Sequence, residues 1–314
     1  MPDGQSQRLP PLVVLCGPTA AGKTAAALAL AGHFPVEVIS ADSRQVYRLM
    51  DIGTAKPSVL ERQQVPHHLV DVVWPDEPFD AACFARLAAP VIDAVRQRGR
   101  LPLLVGGTGL YIRALTAGLA ELPGADPVIR RRLESMAASE GSAALHKQLA
   151  AVDRESAALL HANDRVRLIR ALEVFELTGR PLSVWRREHG FDQCRYRLLK
   201  IGLSVERTEL YRRIDRRAAT MLTQGLVEET TALLAAGYPP QLKTLQTIGY
   251  REALRLLRGE CTAPAALQEL QQATRRYAKR QLTWFRGDGE VIWVDSVTDS
   301  AKLTELIDQF HAHD

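Results

Sequence analysis

The chain has 314 residues, of which 46% are hydrophobic and 24% are charged, a composition that excludes the disordered and fibrous classes. Lys and Arg exceed Asp and Glu by 40 − 36 = 4 charges, so a nucleic-acid surface would have to come from local clusters of basic residues. The four cysteines form no C-x-x-C pair and no apolar run is long enough to span a membrane, so we expect neither disulfides, structural zinc nor a membrane anchor.

The N-terminal region predicts a strand, a glycine-rich turn and a helix. Residues 1–11 are polar and lack the apolar core of a secretory signal, which predicts a cytoplasmic protein. The apolar run 12–16 predicts a buried parallel strand, and the Ala- and Leu-rich run 25–31 predicts a helix. Between them, Gly17–Thr24 reads G-P-T-A-A-G-K-T, a full match to the phosphate-binding loop.

That loop predicts a polyphosphate site. The unpaired N–H groups at a helix N-terminus and the positive end of the helix dipole attract an anion. Lys23 adds a cation, and the Thr24 hydroxyl is placed to hold Mg²⁺. The residues that we predict to bind the phosphates are Gly17, Pro18, Thr19, Ala20, Ala21, Gly22, Lys23 and Thr24.

Strands and helices alternate along the next part of the chain, which predicts a parallel α/β sheet with its ligand at the strand C-termini. The spacing from Asp42 to Gln45 predicts a capping box on a short helix. The paired His67 and His68 point to opposite faces of a strand, which favours a structural or substrate-edge role over a metal site. We predict strands at 36–40, 68–73 and 101–105, a loop over 51–67 and a helix over 79–98.

The second half of the chain is mostly helical. Residues 127–187 predict helix after helix, strand character returns at 197–203, and helices over 206–236 and 240–285 precede a short strand at 291–294. We therefore predict an α/β fold, namely a P-loop NTPase-like parallel sheet core with an inserted all-helical domain. The predicted bounds are 8–126 for the first part of the core, 127–195 for the insertion and 196–314 for the rest.

An acidic residue sits in an unusual place for a P-loop kinase. Such enzymes usually hold Mg²⁺ with an Asp at the end of a core strand, but the strand at 101–105 runs into Gly106–Gly109, and the acid is Asp42. The anion in the loop is then either a nucleotide's triphosphate or a substrate's diphosphate. Asp42 is a base or hydrogen-bond acceptor for a nucleophile, or a helix cap or Mg²⁺ ligand.

These motifs resemble a family. The resemblance is carried by the phosphate loop and by I-S-A-D-S-R-Q-V-Y from Ile39, M-D-I-G-T-A-K-P from Met50 and G-G-T-G-L-Y from Gly106. It continues through Asn163-Asp164, Arg167 to Glu173, T-I-G-Y from Thr247 and Y-A-K-R-Q-L-T-W-F from Tyr277. The chain is similar over most of its length to the bacterial tRNA dimethylallyltransferases, also called tRNA isopentenyltransferases.

The resemblance implies transfer of a dimethylallyl group from dimethylallyl diphosphate to N6 of adenine 37 in the tRNA anticodon loop, with Mg²⁺ as the expected metal. It implies that Asp42 takes the proton of the amine, that Thr108 lies near the reacting centre, and that Arg217 and Lys23 hold the diphosphate. The structural alternatives are a turn hydroxyl for Thr108 and a solvated helix face for Arg217. We expect a monomer that meets no membrane.

The helical insertion is expected to face the tRNA. Arg275, Lys279 and their neighbours form a basic stripe at helical spacing, for which the alternative is plain solvation. Arg165 stands where the family commonly has Pro, so the start of that helix can differ. The residues that we predict to contact tRNA are Asp42, Ser43, Arg44, Gln45, Thr108, Arg130, Val166, Arg167, Leu168, Ile169, Arg170, Lys243, Gly249, Tyr250, Arg251, Arg275, Arg276, Lys279 and Arg280.

Three other functions remain open at this stage. A small-molecule P-loop kinase would consume ATP, whereas the transferase would leave ATP intact and release diphosphate. An adenylate prenyltransferase acting on free AMP would need neither the helical insertion nor the C-terminal basic helices. A non-catalytic RNA-binding module would leave Lys23, Thr24 and Asp42 without a purpose. The aromatic side chains of Trp185, Trp284 and Trp293 are interpreted as core.

Overall fold

The structure is a computed structural model, and it describes residues 9–189, 194–295 and 299–312. The N-terminal segment on which we predicted the absence of a secretory signal lies largely outside these residues. Within the described ranges, no helix combines the length and the apolar character that a bilayer crossing requires.

A six-stranded, fully parallel sheet forms the core of one compact unit, with the strand order β3-β2-β4-β1-β5-β6. The side chains of β1 and β4 are buried along almost their whole length, as expected for a parallel sheet covered on both faces. This explains the continuous apolar runs in the sequence. The strands are β1 (Pro11–Cys16), β2 (Val36–Ser40), β3 (His67–His68), β4 (Leu101–Gly106), β5 (Arg197–Ser204) and β6 (Val291–Asp295).

The strand predicted at 68–73 is wrong in extent. Only His67 and His68 pair with β2, because the backbone then turns through left-handed conformations at Leu69 (φ 61°) and Asp71 (φ 58°). The His68 imidazole contacts the Glu37 carboxylate at 2.7 Å, and the His67 ring contacts a backbone carbonyl. Both rings thus have partners within the protein, as expected for the structural alternative of the predicted structural or substrate-edge role.

Fourteen helices lie in the described residues. The fourteen helices are α1 (Lys23–Ala31), α2 (Val59–Gln64), α3 (Ala81–Gln97), α4 (Gly109–Ala117), α5 (Pro127–Ser139), α6 (Ser142–Val152), α7 (Arg154–Leu159), α8 (Arg165–Thr178), α9 (Leu182–His189), α10 (Arg207–Thr223), α11 (Leu226–Ala235), α12 (Tyr250–Leu257), α13 (Ala263–Arg286) and α14 (Ser300–His311). Helices α2, α4 and α14 were not predicted from the sequence, and the short helix predicted after Asp42 is a series of turns.

The second compact unit spans residues 117–193 and contains helices α5 to α9. The predicted α/β core with a helical insertion is thus confirmed, although the unit begins ten residues before the predicted position 127. Leu133, Leu145, Leu149 and Leu168 are fully buried in its own hydrophobic core. The insertion therefore buries enough apolar surface to pack as a separate body.

A buried carboxylate ties this helical unit together. Glu173 is fully buried and accepts a bidentate pair of hydrogen bonds from Arg130, at 2.8 and 3.0 Å, and one from Arg170 at 2.6 Å. Burial by itself would raise the pKa of Glu173, but the hydrogen bonds from Arg130 and Arg170 outweigh it and lower the pKa below its ordinary value. The charged form of Glu173 thus stabilises the folded unit.

Replacing Glu173 with Gln is expected to lower the free energy of unfolding by roughly 1.5–3 kcal/mol at pH 7, because charge-assisted hydrogen bonds are lost. A carboxylate whose pKa is lowered on folding stabilises the protein above its unfolded pKa and loses that contribution as pH falls. The gap between wild type and Glu173→Gln should therefore shrink as urea unfolding is measured from pH 7 towards acid. The matched control is Glu176→Gln, which removes a more exposed ion pair to Arg132 and should change stability by less than about 1 kcal/mol.

Candidate active site

Three of the four predicted catalytic residues, Lys23, Asp42 and Thr108, follow the C-terminal ends of three neighbouring strands. The phosphate loop follows β1, Asp42 follows β2, and Thr108 follows β4, which lies between the other two strands in the sheet. The Thr108 N–H donates to the Ala41 carbonyl (3.2 Å), and the Thr108 hydroxyl accepts from the Ser43 N–H (3.0 Å). Gly17, Asp42 and Thr108, which are 25 to 91 residues apart in sequence, thus belong to one site.

The phosphate loop has the backbone conformation that its glycines allow. Gly17 and Gly22 have φ values of 138° and 91°, and a Cβ at Gly17 would lie 2.9 Å from the Leu203 carbonyl oxygen. Gly22 precedes α1 and offers no side chain to cap that helix. The first N–H groups of α1 are therefore available to an anion, as predicted. Thr19 differs, because its N–H is already donated to the Gln281 side chain at 2.8 Å.

Two cations point into this loop. The Lys23 ammonium donates to the carbonyls of Gly17 (3.0 Å) and Pro18 (2.7 Å), and Arg217 donates to the Thr19 hydroxyl at 3.4 Å. Burial lowers the pKa of Lys23 to about 8 against the opposing effect of Asp42, and Arg217 lowers it further. The pKa of Arg217 is also lowered by burial. An arriving polyphosphate would stabilise both charges.

Asp42 has one carboxylate oxygen fixed and one free. Its Oδ1 accepts from the N–H groups of Arg44 (2.8 Å) and Gln45 (3.4 Å), which forms a local turn. In the described part of the chain, Oδ2 accepts no hydrogen bond from the protein. The predicted capping box is wrong, because the Gln45 amide instead contacts the Ser40 hydroxyl and the Ala55 carbonyl. The turn leaves Oδ2 available to a substrate.

One face of α13 covers the loop that carries Thr108. Tyr277, Gln281 and Trp284 follow one another at helical spacing. The Tyr277 hydroxyl lies beside Thr108, the Gln281 amide donates to the Gly107 carbonyl at 2.9 Å, and the Trp284 ring lies against Gly109. Burial is the main reason that the pKa of Tyr277 rises to about 12. Trp284 is 39% exposed, so its interpretation as a core residue is wrong in part.

Gln281 is a residue of this site to which no role was predicted from the sequence. A signal was present, because Gln281 interrupts the apolar face that Ala278, Leu282 and Phe285 define. It is 6% exposed, and both ends of its amide are hydrogen bonded. A polar side chain in such a position calls for polar partners on a neighbouring segment.

The donor set around Thr24 suits a metal that arrives with the substrate. In the described residues the Thr24 hydroxyl has no hydrogen-bond partner, and no group of three or more His, Cys, Asp and Glu side chains forms a cation cage. Mg²⁺ is commonly held by one or two protein oxygens together with substrate phosphates. The residues present therefore fit such an ion.

The segment after Met50 is held by a half-buried carboxylate, which explains its motif. Glu229 accepts from the N–H groups of Asp51, Ile52 and Gly53 and from the Tyr250 hydroxyl. A Cβ at Gly53 would lie 2.5 Å from the Tyr250 ring. Together with α10, this segment lines a cavity of about 370 Å³ that includes Arg217. These contacts give the segment a structural role beside the phosphate site.

A buried cation also holds this segment. The Lys56 side chain is 2% exposed and contacts the carboxylates of Asp51 (2.6 Å) and Asp71 (2.5 Å). It also donates to the Tyr47 carbonyl at 2.5 Å. Lys56 is thus a structural cation whose charge is already compensated.

Several of the predicted tRNA contacts have other partners. Leu168 and Ile169 are buried in the helical unit, so their side chains cannot reach RNA, whereas Val166 and Arg167 are exposed. The guanidinium groups of Arg130 and Arg170 bind the buried Glu173, as described above. Arg165 is the first residue of α8, and Asp164 caps that helix, so the departure from Pro does not prevent the helix from starting there.

Most of the predicted tRNA contacts around α12 also have partners within the protein. Tyr250 is fully buried with its hydroxyl on Glu229, and Gly249 donates its N–H to the buried Glu252 carboxylate, so both have structural roles. Arg251 also binds Glu252, at 2.5 Å. Lys243 is exposed and stays a predicted tRNA contact.

The basic stripe of α13 divides into engaged and exposed cations. Arg275 binds the Asp215 carboxylate at 2.5 Å, and the Arg280 guanidinium lies 5.7 Å from the centre of the Tyr277 ring. Arg276 and Lys279 are exposed, and within the described residues neither has a partner. Arg276 and Lys279 are therefore the stripe residues best placed to meet phosphate groups.

Replacing Arg276 and Lys279 together with Ala is expected to weaken tRNA binding and to flatten its salt dependence. Each lost contact to single-stranded RNA should reduce the slope of log K against log [salt] by ~0.7. The measurement is a filter-binding titration across salt concentrations. The matched control is Arg258→Ala with Arg86→Ala, which removes two exposed charges that lie outside α13. An unchanged slope in the Arg276/Lys279 variant would return the stripe to plain solvation.

The fold and the site together define a P-loop enzyme of the α/β class. Residues 45–288 match the family model described as IPP transferase, and residues 10–71 match that of isopentenyl transferase. The chain belongs to the IPP transferase family. It is 55% identical over 299 residues to a protein of Geobacter sulfurreducens named tRNA dimethylallyltransferase, covering 95% of this chain and 96% of the relative.

Two solved structures show the same architecture. One is the tRNA isopentenylpyrophosphate transferase of Bacillus halodurans, which is 44% identical with a TM-score of 0.70, and 96% of each chain is covered. The other is a eukaryotic dimethylallyltransferase described as acting on tRNA, which is 26% identical with a TM-score of 0.80. That match covers 97% of this chain and 80% of the eukaryotic one.

Proposed function

We propose that this protein is a tRNA dimethylallyltransferase that moves the dimethylallyl group of dimethylallyl diphosphate to N6 of adenine 37 in the anticodon loop. The products are the N6-isopentenyl nucleoside and diphosphate. The observation that carries the proposal is that Asp42 Oδ2, which accepts no hydrogen bond within the described residues, lies beside the phosphate loop. A carboxylate in this position suits an enzyme whose nucleophile is an amine, because it can accept the proton of that amine. A kinase has no such need. The relatives named tRNA dimethylallyltransferase support the same activity.

The cations of the phosphate loop stabilise the leaving group. An allylic diphosphate departs with much of its bond already broken, so negative charge grows on the diphosphate. Lys23, Arg217 and the N-terminus of α1 are fixed where that charge develops, and preorganised groups of this kind usually supply the largest catalytic contribution. Mg²⁺ held by Thr24 and the diphosphate oxygens would neutralise further charge.

Asp42 acts on the nucleophile. The exocyclic amine of adenine is a poor nucleophile because its lone pair is delocalised into the ring. Oδ2 accepts a hydrogen bond from that amine and then its proton, while Oδ1 stays fixed by the turn. The base must leave its stack to reach this position, which requires flipping out of the anticodon loop. We expect Ser43, Arg44 and Thr108 to line this position, because backbone turns and the Ser43–Thr108 hydrogen bond place them beside Asp42.

Two observations disfavour the alternative functions. A kinase would usually carry an Asp at the end of a core strand for Mg²⁺, yet β4 ends in Gly106 and is followed by Gly107. An enzyme for free AMP would have no use for a helical unit of its own or for the exposed cations of α13.

We also propose that the protein acts in the cytoplasm and as a monomer.

The test is a filter assay with labelled dimethylallyl diphosphate and an unmodified anticodon stem-loop. The expected result is label on the RNA, released diphosphate and no consumption of ATP. A stem-loop in which purine, without the 6-amino group, replaces the target adenine should stay unlabelled. Label on AMP instead of RNA, or phosphate transfer from ATP, would overturn the proposal.

A further inference from the structure

Gln281 joins the two loops between which the reaction is proposed to take place. Its Oε1 accepts from the Thr19 N–H at 2.8 Å, and its Nε2 donates to the Gly107 carbonyl at 2.9 Å. One partner is a backbone donor and the other a backbone acceptor, so the orientation of the amide is fixed. A rotation by 180° would break both hydrogen bonds.

The fit around this amide is close. A Cβ at Gly107 would lie 2.1 Å from Gln281 Nε2 and 3.3 Å from the Gly17 carbonyl oxygen. Gly107 therefore leaves room for the amide between the Thr108 loop and the phosphate loop. With an exposed fraction of 6%, Gln281 is shielded from water, so its two hydrogen bonds hold the loops without competition from solvent.

The same helix presents the exposed cations proposed to bind tRNA. Lys279 and Gln281 are two residues apart in α13, so they face different sides of it. Arg275, at the start of this stretch, binds Asp215, which lies two residues before Arg217 in α10. A 24-residue helix thus connects the tRNA-facing cations, the phosphate loop and the helix that carries Arg217.

We infer that Gln281 is a positioning residue, which holds the phosphate loop and Thr108 at the spacing needed for transfer. It also connects both to α13, the helix whose exposed cations are proposed to bind tRNA. Its positioning role follows from these two hydrogen bonds, which hold the amide against the backbone of both loops. The inference rests on the proposed function. A misplacement of about 1 Å between reacting groups can cost on the order of 10²-fold in rate, so the effect of Gln281 should appear in the transfer step rather than in binding.

The test is Gln281→Met, which keeps the length of the side chain and removes both hydrogen bonds. We expect the single-turnover rate of prenyl transfer to fall by about 10–10²-fold, with the dissociation constant for the anticodon stem-loop within about twofold of wild type. Gln272→Met is the matched control on the same helix, because Gln272 is exposed, and it should leave the rate unchanged. A purely structural role would instead lower the melting temperature and the active fraction while leaving the rate per active site intact.

A second variant displaces the same amide without replacing Gln281. Gly107→Ala places a methyl group where Gln281 Nε2 lies and should reproduce the loss of rate with Gln281 still present. The double variant should be no slower than the slower single variant, because both remove one interaction. A wild-type rate per active site in Gln281→Met, or additive losses in the double variant, would overturn the inference. A wild-type enzyme that transfers no label would overturn the proposed function instead.

Discussion

Asp42→Asn is expected to reduce the single-turnover rate of prenyl transfer by about 10²–10⁴-fold, the usual contribution of a general base. Asn keeps an oxygen for the N–H groups of Arg44 and Gln45, so the turn that positions residue 42 survives. It loses only the ability to accept the proton of the amine. Asp42→Ala should lose at least as much rate, because it also removes the turn.

The same substitution should leave binding of dimethylallyl diphosphate intact or make it tighter near pH 7. The Asp42 carboxylate is a negative charge that interacts with Lys23 and Arg217, so its removal takes away a repulsion for the diphosphate. Rapid-quench rates and calorimetric affinities on the same samples separate the two effects. Asp80→Asn is the control, since the Asp80 carboxylate also accepts a backbone N–H, that of Cys83, but does so at the N-terminus of α3. A wild-type rate for Asp42→Asn would exclude Asp42 as the base.

The sequence predicts those parts of the site in which a local motif determines the backbone. Gly17 and Gly22 indicate a loop that only a phosphate-binding turn explains, and Asp42 and Thr108 follow buried strands, so their convergence could be expected from a parallel sheet. The side-chain partners of these residues could not be predicted from the sequence. Thr19 is 262 residues from Gln281, and no spacing rule connects positions so far apart.

The tRNA surface shows the same difference between backbone and side chain. The motif around Arg167 correctly predicted a helix, but the side chains of Leu168 and Ile169 pack into the helical unit. Tyr250 likewise belongs to a motif, yet its hydroxyl serves Glu229. A sequence motif includes residues that contact a ligand as well as residues that support the fold. The burial of each side chain distinguishes these two kinds of residue, but burial depends on tertiary packing, which cannot be predicted from the motif alone.

Lys23→Met is expected to weaken binding of dimethylallyl diphosphate and to reduce the transfer rate by about 10²–10³-fold, in the range of a lost oxyanion-stabilising donor. In the structure the ammonium is held by the Gly17 and Pro18 carbonyls, so it is already aimed at the loop. The rate loss follows because charge on the diphosphate is greatest in the transition state. Lys23→Arg retains a cation and should bind the diphosphate more tightly than Lys23→Met.

The pH dependence gives the sharper test of Lys23. Burial lowers its pKa to about 8, and only the protonated form attracts the diphosphate. The last ionisation of the diphosphate lies near 6 by analogy with phosphate esters, and burial raises the pKa of the neighbouring Cys16 to about 12, so neither titrates between pH 7 and 9.5. The wild-type dissociation constant should therefore stay level below pH 8 and rise towards tenfold per pH unit above it. In Lys23→Arg the profile should stay level, because a guanidinium keeps its proton throughout this range, and a level wild-type profile to pH 9.5 would contradict the assignment.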